Sequence, residues 1–349
     1  MKYLLYILII TSLISCSGSP TLQNLRYTAF PDEKSLTAQE ISLDTIYFRY
    51  PFRVTVRDSI AILLDLHNTD YYFTAFTYPK WKYITSFGKR GEAPEEMLSA
   101  YMLQFNSLDS IWTLDANKMQ ISRWSIFPKK HSTKREEIIS LDKKLVRSLD
   151  FCTTDTSFLI TDYLGDCRYH NVGYDGKNIN CIGKIPTEYN HEKDIKPVLA
   201  QAWRSFSDYN PKNGIYALVT QLGEVVEIYN LKTNTHTVLF GPNGEPKFDT
   251  AQNSSIPTGI MGFSDIQVTD NYIYAVFHGT SFKDKIKSYQ NGEKPEDGGR
   301  YIYVFDLDGN PVRKYTLDHP IYGIDVNEET GTIIATCVMS DNPILEFKI

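Results

Sequence analysis

The chain has little of several features that define whole classes of protein. Its 349 residues include five cysteines and seven histidines, without a Cys-x-x-Cys pair or a Cys/His cluster of zinc type. Asp and Glu (42) outnumber Lys and Arg (36), giving a net charge of -6 with no long basic block. This balance argues against a nucleic-acid-binding protein, which needs a basic face for phosphates.

Motifs of the common catalytic sites are also missing. The sequence has no Gly-x-Ser-x-Gly elbow, no His-Glu-x-x-His, no P-loop and no dinucleotide fingerprint. We therefore expect no cofactor and no metal, and we favour a non-enzymatic role. Helical periodicity is scarce, with short helices predicted only at Pro94–Leu98 and Pro197–Trp203.

The N-terminus carries a signal-peptide pattern, in which Lys2 precedes an apolar run. Tyr3–Ile14 offers only 12 residues, too few for a spanning helix of about 20. Leu13-Ile14-Ser15-Cys16 is similar to the lipobox of bacterial lipoproteins, which implies that 1–15 are removed and Cys16 is lipidated. The alternative is a plain secreted protein with an ordinary cysteine at this position.

With a lipid on Cys16, the membrane would hold the protein by its N-terminus, and 16–24 would form a tether. Ser17-Gly18-Ser19-Pro20 lacks the acidic residues that send some lipoproteins to the outer surface. We therefore expect a lipid-anchored protein of the cell envelope, at the outer membrane and facing the periplasm.

A turn residue followed by an apolar strand recurs six times, at intervals of 46 to 60 residues. These repeats begin at Asp58, Asp109, Asp155, Asn213, Asp270 and Thr330. A second strand ending in an aromatic residue follows most copies, and the fifth copy contains an inserted polar loop, His278–Arg300. Each unit therefore reads as a four-stranded antiparallel meander, which cannot bury both faces alone.

Units of this kind close into a ring, so the sequence predicts an all-β fold, a single six-bladed β-propeller over residues 25–349. The last repeat contains only three strands before the chain ends. We expect the N-terminal segment, either Leu25–Phe30 or Ile41–Phe48, to supply the fourth strand and close the ring. Two or three smaller β domains would need a linker that the sequence lacks.

The lipobox, the repeats and Phe87–Met97 together resemble the TolB-like six-bladed β-propeller lipoproteins of Gram-negative envelopes. In that family a connector of the form Phe-Gly-x-x-Gly-x-Gly-Pro-x-Glu-Phe follows the first blade. This chain has Ala93 where the second Gly of that connector stands, and Met97 in place of the final Phe. The resemblance implies the fold and brings no established reaction.

Ligands of propellers commonly bind where the inner strands begin. The residues near these positions are rich in Arg and Tyr, and they are Arg53, Tyr101, Arg147, Arg204, Asp265 and Tyr322. Arg offers a fork of donors and Tyr a stacking face, which suits a carboxylate, a phosphate, a sugar or a peptide. The competing interpretation is that these side chains only satisfy one another across a polar channel.

Four cysteines remain after Cys16, and buried free thiols are the simplest interpretation. If a bridge forms, Cys167 with Cys181 is the first pair to consider. The leading functional hypothesis is a binding or interaction module for a protein, peptide or glycan, without nucleic acid. The rival is a metal-dependent hydrolase or lactonase of the six-bladed type, because fold alone does not decide function.

Overall fold

The structure is a computed structural model that describes residues 21–43, 46–189 and 196–349. The predicted signal peptide, 1–15, and the predicted lipidation site, Cys16, lie outside the described residues. In the described part of the chain, no helix has the length and apolar character needed to cross a membrane.

Short strands begin the described chain, and three blades of four antiparallel strands follow them. The N-terminal strands are β1 (Thr21–Arg26), β2 (Glu33–Leu36) and β3 (Gln39–Ile41). Blade 1 contains β4 (Pro51–Arg57), β5 (Ile60–Asp65), β6 (Tyr71–Thr77) and β7 (Tyr83–Lys89). Blade 2 contains β8 (Leu103–Ser107), β9 (Ser110–Asp115), β10 (Gln120–Phe127) and β11 (Ser132–Ser140). Blade 3 contains β12 (Phe151–Thr153), β13 (Ser157–Thr161), β14 (Tyr169–Gly173) and β15 (Ile179–Ile182).

The second half of the chain repeats this plan with insertions. Blade 4 contains β16 (Ser205–Asn210), β17 (Ile215–Thr220), β18 (Val225–Asn230) and β19 (Thr235–Phe240), and a hairpin of β20 (Phe248–Ala251) and β21 (Ser254–Pro257) follows it. Blade 5 contains β22 (Phe263–Val268), β23 (Tyr272–Phe277), β24 (Gly299–Asp306) and β25 (Pro311–Ile321). Blade 6 contains β26 (Ile324–Asn327), β27 (Thr332–Thr336) and β28 (Ile344–Lys348). The helices are α1 (Lys196–Ala202), α2 (Phe282–Gln290) and two 3-10 turns, Pro128–Lys130 and Lys143–Leu145.

The second strand of a blade is buried on both sides, which explains the continuous apolar runs of the repeats. In β5, Ile62 and Leu64 belong to a core shared with other blades, while Leu63 packs on the opposite side with Ile334 and Ile344 of blade 6. Burying one such side chain stabilises the fold by about 1.5–3 kcal/mol. Neighbouring blades therefore cover each other, and the predicted six-bladed ring is confirmed.

An N-terminal strand closes the ring, as predicted, but it is β3, which pairs antiparallel with β28. Of the two predicted segments, Leu25–Phe30 does not form the closing strand, and Ile41–Phe48 shares only Ile41 with it. Strand β1 instead pairs parallel with β19, and β2 pairs parallel with β25, so blades 4 and 5 have five strands rather than four. Thr21–Asn24, assigned to the tether from the sequence, lie within β1.

These N-terminal strands could not be recognised because their side chains are mostly exposed and show no apolar alternation. Backbone hydrogen bonds to the edge of an existing blade hold them in place. Of the two predicted helices, the one at Pro197–Trp203 is confirmed as α1, whereas Pro94–Leu98 forms turns. The inserted loop of blade 5 contains α2, which Ser281 caps by accepting a hydrogen bond from the Asp284 amide at 3.2 Å.

Candidate functional site

A cavity of about 270 Å³ opens at one end of the central channel. We call this end the mouth face; it carries the connections between blades and the loops between second and third strands. Phe52, Phe206 and Phe263 line the cavity, together with tyrosines and Arg204. The cavity therefore combines an apolar surface with a cationic group.

The structure brings three predicted residues together around this cavity: Tyr101, Arg204 and Tyr322. Each lies in the connection just before its inner strand, and not within the strand as predicted. Arg147 also lies in such a connection, exposed and outside the cavity lining. Arg53 and Asp265 lie on inner strands β4 and β22 and are fully buried.

Arg53 crosses the channel from blade 1 to blade 5. Its Nε lies 3.1 Å from Asp265 Oδ1, and its terminal nitrogens donate to the carbonyls of Phe52 and Ser264. The guanidinium also lies over the rings of Phe52, at 4.0 Å, and Phe206, at 4.8 Å. The two side chains therefore face each other as an ion pair, the arrangement that the competing interpretation describes, although Arg53 Nε makes no hydrogen bond among the described residues.

Burial sets the electrostatics of the pair. It lowers the pKa of Arg53, against the opposing attraction of Asp265, and it raises the pKa of Asp265, against the attraction of Arg53. Asp150 is buried beside them, and its Oδ1 accepts a hydrogen bond from Ser207 at 2.6 Å. Burial raises the pKa of Asp150 to about 7, while the Ser207 hydrogen bond and Arg53 act in the opposite direction.

Carboxylates on the inner strands tie consecutive blades together. Each accepts a backbone amide hydrogen bond from the next blade: Asp208 from Val268 (2.8 Å), Asp265 from Ile324 (2.8 Å) and Asp325 from Val56 (2.9 Å). Burial raises the pKa values of Asp208 and Asp325 to about 7. Each of these carboxylates therefore has an oxygen that is already hydrogen-bonded to the backbone of the next blade.

Arg204 has a different environment on the mouth face. It is half-buried, and its guanidinium lies 5.6 Å from the ring of Tyr101 and 5.7 Å from that of Phe206. Among residues 21–43, 46–189 and 196–349, no carboxylate forms an ion pair with Arg204 or Arg147. The positive charges of both arginines, Arg204 foremost, act on Tyr163, whose pKa is nevertheless raised by burial.

On the other side of the cavity, two tyrosines share one carboxylate. Tyr322 donates to Asp297 Oδ1 at 2.5 Å and Tyr50 donates to Asp297 Oδ2 at 2.9 Å. Burial raises the pKa of both phenols. His278 packs edge-on against Tyr322, and neither of its ring nitrogens has a hydrogen-bond partner among the described residues. Burial, aided by Lys285, lowers the pKa of His278 to about 3, so its ring is neutral.

Sequence reasoning missed Tyr50, Tyr163, His278 and Asp297. Tyr50 stands just before an inner strand, as Tyr101 and Arg204 do, so the same rule could have found it. His278 and Asp297 lie at the two ends of the insertion in blade 5. Their contacts depend on how that insertion folds back over the mouth face, which has no local sequence signal.

Of the four cysteines in the described residues, Cys167 and Cys181 form a disulfide, which is the pair considered from the sequence, so the free-thiol interpretation is wrong for these two. Cys152 and Cys337 are free and buried. Within the described residues, one group offers three metal-ligating atoms in close proximity, and it consists of Cys167, His170 and Cys181. The disulfide joins the two sulfurs that a metal would require.

Comparison with known proteins identifies the fold. The model of a family described as TolB-like 6-blade propeller-like matches residues 29–329. No curated protein matches the sequence.

Solved structures show the same fold at very low identity. A member of the DUF4221 family from Bacteroides vulgatus aligns with a TM-score of 0.55, at 9% identity, over 90% of this chain and 96% of its own. A protein of Bacteroides fragilis described as exported aligns with a TM-score of 0.54, at 11% identity, over 94% and 99%. A luciferin-regenerating enzyme aligns with a TM-score of 0.52, at 8% identity, over 90% and 96%.

Proposed function

The chain belongs to the TolB-like family of six-bladed propellers, and from this premise we propose that it is an envelope protein that binds a ligand at its channel mouth without transforming it. The observation that carries the proposal is the environment of Arg204. This guanidinium lines the cavity, stacks on Tyr101 and has no carboxylate partner among the described residues. A half-buried cation of this kind recruits an anion from outside.

The cavity also favours one class of anion. Its three phenylalanines suit an apolar group, and Arg204 at the edge suits a single carboxylate. The C-terminus of a peptide with an apolar last residue has both features. A glycan carboxylate would use Arg204 but would place hydroxyl-bearing rings against the mostly apolar lining, so a carboxylate-terminated peptide is the preferred ligand.

A matched pair of probes tests this proposal. N-acetylphenylalanine carries a carboxylate, and N-acetylphenylalaninamide has the same shape without the charge. We expect the acid to bind and to raise the melting temperature at millimolar concentration, and the amide to bind much more weakly. The Arg204→Gln variant should lose the preference for the acid, whereas Arg123→Gln, a change on the surface of blade 2, should keep it. Equal binding of both probes to the natural protein would contradict the proposal.

The rival hypothesis, a metal-dependent hydrolase or lactonase, makes a separate prediction. It needs several oxygen ligands converging on one ion. The channel carboxylates Asp208, Asp265 and Asp325 instead accept backbone amides from neighbouring blades. Metal analysis of purified protein and melting curves with calcium separate the hypotheses, because a stoichiometric ion or a large calcium-dependent rise would favour the enzyme.

The envelope location is proposed on the signal-peptide pattern and the lipobox at Cys16. Similarity to a Bacteroides fragilis protein described as exported supports export. We propose that lipidated Cys16 holds the mature chain to the outer membrane on its periplasmic side. Mass spectrometry of the mature N-terminus should find an acylated Cys16, and Cys16→Ala should move the protein to the soluble fraction. An unmodified cysteine in the mature chain would refute the anchor and leave the binding proposal intact.

A further inference from the structure

The insertion of blade 5 carries a helix that covers no core. Helix α2 (Phe282–Gln290) is nine residues long, and none of its residues is buried. A helix of this length is marginally stable in water, and most helices in proteins are stabilised by packing an apolar face against a neighbour. Within the described residues, α2 has no neighbour that buries such a face.

Helical spacing nevertheless brings three apolar side chains of α2 onto one side. Phe282, Ile286 and Tyr289 stand at positions i, i+4 and i+7, which share one face of a helix. Ile286 is 57% exposed and Tyr289 is 67% exposed, whereas Phe282, in the first turn, is half-buried. Single exposed apolar residues are common on protein surfaces, but aligned ones mark an interaction surface. We call these three residues the apolar stripe.

Lysines flank the apolar stripe on both sides. Because successive residues of a helix are rotated by about 100°, Lys285 lies on one side of the stripe, and Lys283 and Lys287 lie on the other. None of the three forms an ion pair with the described residues. The one acid of α2, Asp284, falls on the opposite face of the helix. In a chain whose net charge is -6, this helix therefore presents a local excess of positive charge.

The acids that follow α2 have partners of their own. Glu296 accepts a hydrogen bond from Arg300 at 2.9 Å, and Asp297 accepts hydrogen bonds from the two tyrosines at the cavity. Glu293 stands beside Lys294, which has the opposite charge. The lysines of α2 are thus the charges of this insertion that a ligand can pair with.

The first turn of α2 is joined to the wall of the cavity. Met261, which lines the cavity, donates its amide to the carbonyl of Thr280 at 2.8 Å, and its own carbonyl accepts the Gly279 amide at 3.0 Å. The preceding residue, Ile260, forms a backbone bridge with Ser281, which caps α2. A ligand chain that leaves the cavity past Met261 therefore meets α2.

We propose that α2 extends the binding site and docks an extended, acidic and apolar peptide segment, namely the residues that precede the C-terminal residue of the ligand. This inference rests on the proposed function, in which the C-terminal residue fills the cavity with its carboxylate at Arg204. An apolar side chain of the segment covers the apolar stripe, and acidic side chains face the lysines. Four extended residues span about 13 Å, which matches the length of about 13 Å of a nine-residue helix.

A basic helix with an apolar stripe also suits the surface of an anionic membrane. The position of α2 favours the peptide, because the helix lies on the mouth face and adjoins the cavity. The described chain begins at the other end of the ring, where Thr21 pairs with Thr235, so the proposed lipid anchor leaves from the face opposite to α2.

Two acetylated pentapeptides test the inference by isothermal titration, with N-acetylphenylalanine as the reference. We expect Glu-Leu-Glu-Ala-Phe to bind the natural protein about tenfold more tightly than the reference, and Lys-Leu-Lys-Ala-Phe to bind no more tightly than it. If N-acetylphenylalanine binds and the acidic pentapeptide gains nothing, this inference is wrong and the proposed function stands. If N-acetylphenylalanine does not bind, the proposed function is wrong and the inference falls with it.

Variants of α2 locate the added affinity. Lys283→Gln with Lys287→Gln should remove most of the advantage of the acidic pentapeptide, and Tyr289→Ser should weaken its binding about fivefold or more. Both proteins should keep the natural affinity for N-acetylphenylalanine and the natural melting temperature, because the changed side chains are exposed. Lys129→Gln with Lys130→Gln removes two exposed lysines from the opposite face and should bind as the natural protein does. An advantage that survives both changes in α2 would overturn the inference.

Vesicles of phosphatidylglycerol test the membrane alternative. The Cys16→Ala protein, which carries no lipid, should remain in solution when such vesicles are sedimented at physiological salt. Sedimentation that Lys283→Gln with Lys287→Gln abolishes would assign α2 to a membrane surface and overturn the inference.

Discussion

Arg53 and Arg204 both lie against Phe206, at 4.8 Å and 5.7 Å from its ring, yet they have opposite surroundings. Arg53 is buried in the channel, paired with Asp265 and bonded to two carbonyls. Arg204 is half-buried at the cavity and has no acidic partner in the described chain. The side chain of Phe206 therefore lies between two levels of the channel. At the level of Arg53 the charges pair within the protein, and at the level of Arg204 the cation lines the cavity without an acidic partner among the described residues.

The largest expected effect comes from breaking the ion pair at the level of Arg53. Arg53→Met leaves the Asp265 carboxylate buried without its cation, which should lower the free energy of unfolding by about 3–5 kcal/mol. Urea denaturation measures this change. The double variant Arg53→Met with Asp265→Asn should recover much of the loss, since residue 265 then carries no buried charge. A single variant as stable as the natural protein would show that the pair has no structural role.

Asp150 lies at the level of Arg53, so it should affect the stability of the fold, and this effect should depend on pH. Its pKa is raised from 3.8 to about 7 by burial, so the folded state binds a proton that the unfolded chain releases. This group therefore reduces stability as pH rises from about 4 to about 7, by at most about 4 kcal/mol at 1.36 kcal/mol per unit.

Asp150→Asn isolates this group, because the amide stays neutral at every pH. We expect the stability of the variant relative to the natural protein to improve steadily between pH 4.5 and 7.5, and to stay constant above that range. Urea titrations at each pH give the difference. A constant difference between the two proteins would mean that Asp150 titrates normally.

At the level of Arg204, a substitution should change the affinity for the ligand and leave the stability of the fold nearly unchanged. Arg204→Gln should weaken N-acetylphenylalanine binding by about 10- to 100-fold, corresponding to about 1.5–3 kcal/mol for a hydrogen bond to a charged group. Its free energy of unfolding should change by no more than about 0.5 kcal/mol. Isothermal titration and urea denaturation give the two numbers, and a strongly destabilised Arg204→Gln would erase the distinction between the levels.

The smallest expected effect concerns Asp297, which accepts hydrogen bonds from Tyr50 and Tyr322 at the cavity. Asp297→Ala removes both, at a cost of about 1–2 kcal/mol in the free energy of unfolding. Removing a negative charge from the cavity edge should also tighten binding of the carboxylate probe slightly. Denaturation and titration of the same sample test both changes. Weaker binding would mean that Asp297 contacts the ligand favourably.

Local patterns were enough to predict the ring. Each repeat pairs a turn residue with an apolar strand, as in Asp58–Asp65. Such a pattern can be recognised from one short segment of the sequence, without knowing its partners in the fold. The N-terminal strands were not predictable, because β1 and β2 attach by backbone hydrogen bonds and leave their side chains in solvent. Three residues of β3 close the ring, too few for a recognisable pattern.

The position of three cavity residues was predictable, but the contacts of the cavity residues were not. Tyr101, Arg204 and Tyr322 were found because they immediately precede inner strands, and all three line the cavity. The ion pair between Arg53 and Asp265 joins residues that are distant in sequence, so nothing local distinguished it from an open binding pair. The sharing of Asp297 by two tyrosines depends on the path of a long insertion, which sequence periodicity does not describe.

Strand β1 places the start of the described chain, and with it the proposed anchor, on the side of the ring opposite the cavity. Thr21 pairs with Thr235, beside the turn that joins the third and fourth strands of blade 4, whereas Arg26 pairs with Phe240 toward the cavity end. A lipid on Cys16 would therefore lie on the side of the ring opposite the cavity. The five residue steps from Cys16 to Thr21 can span at most about 17 Å. The bilayer would then lie on that side of the ring, and the cavity that Arg204 lines would face the aqueous compartment, from which a ligand would reach it by diffusion.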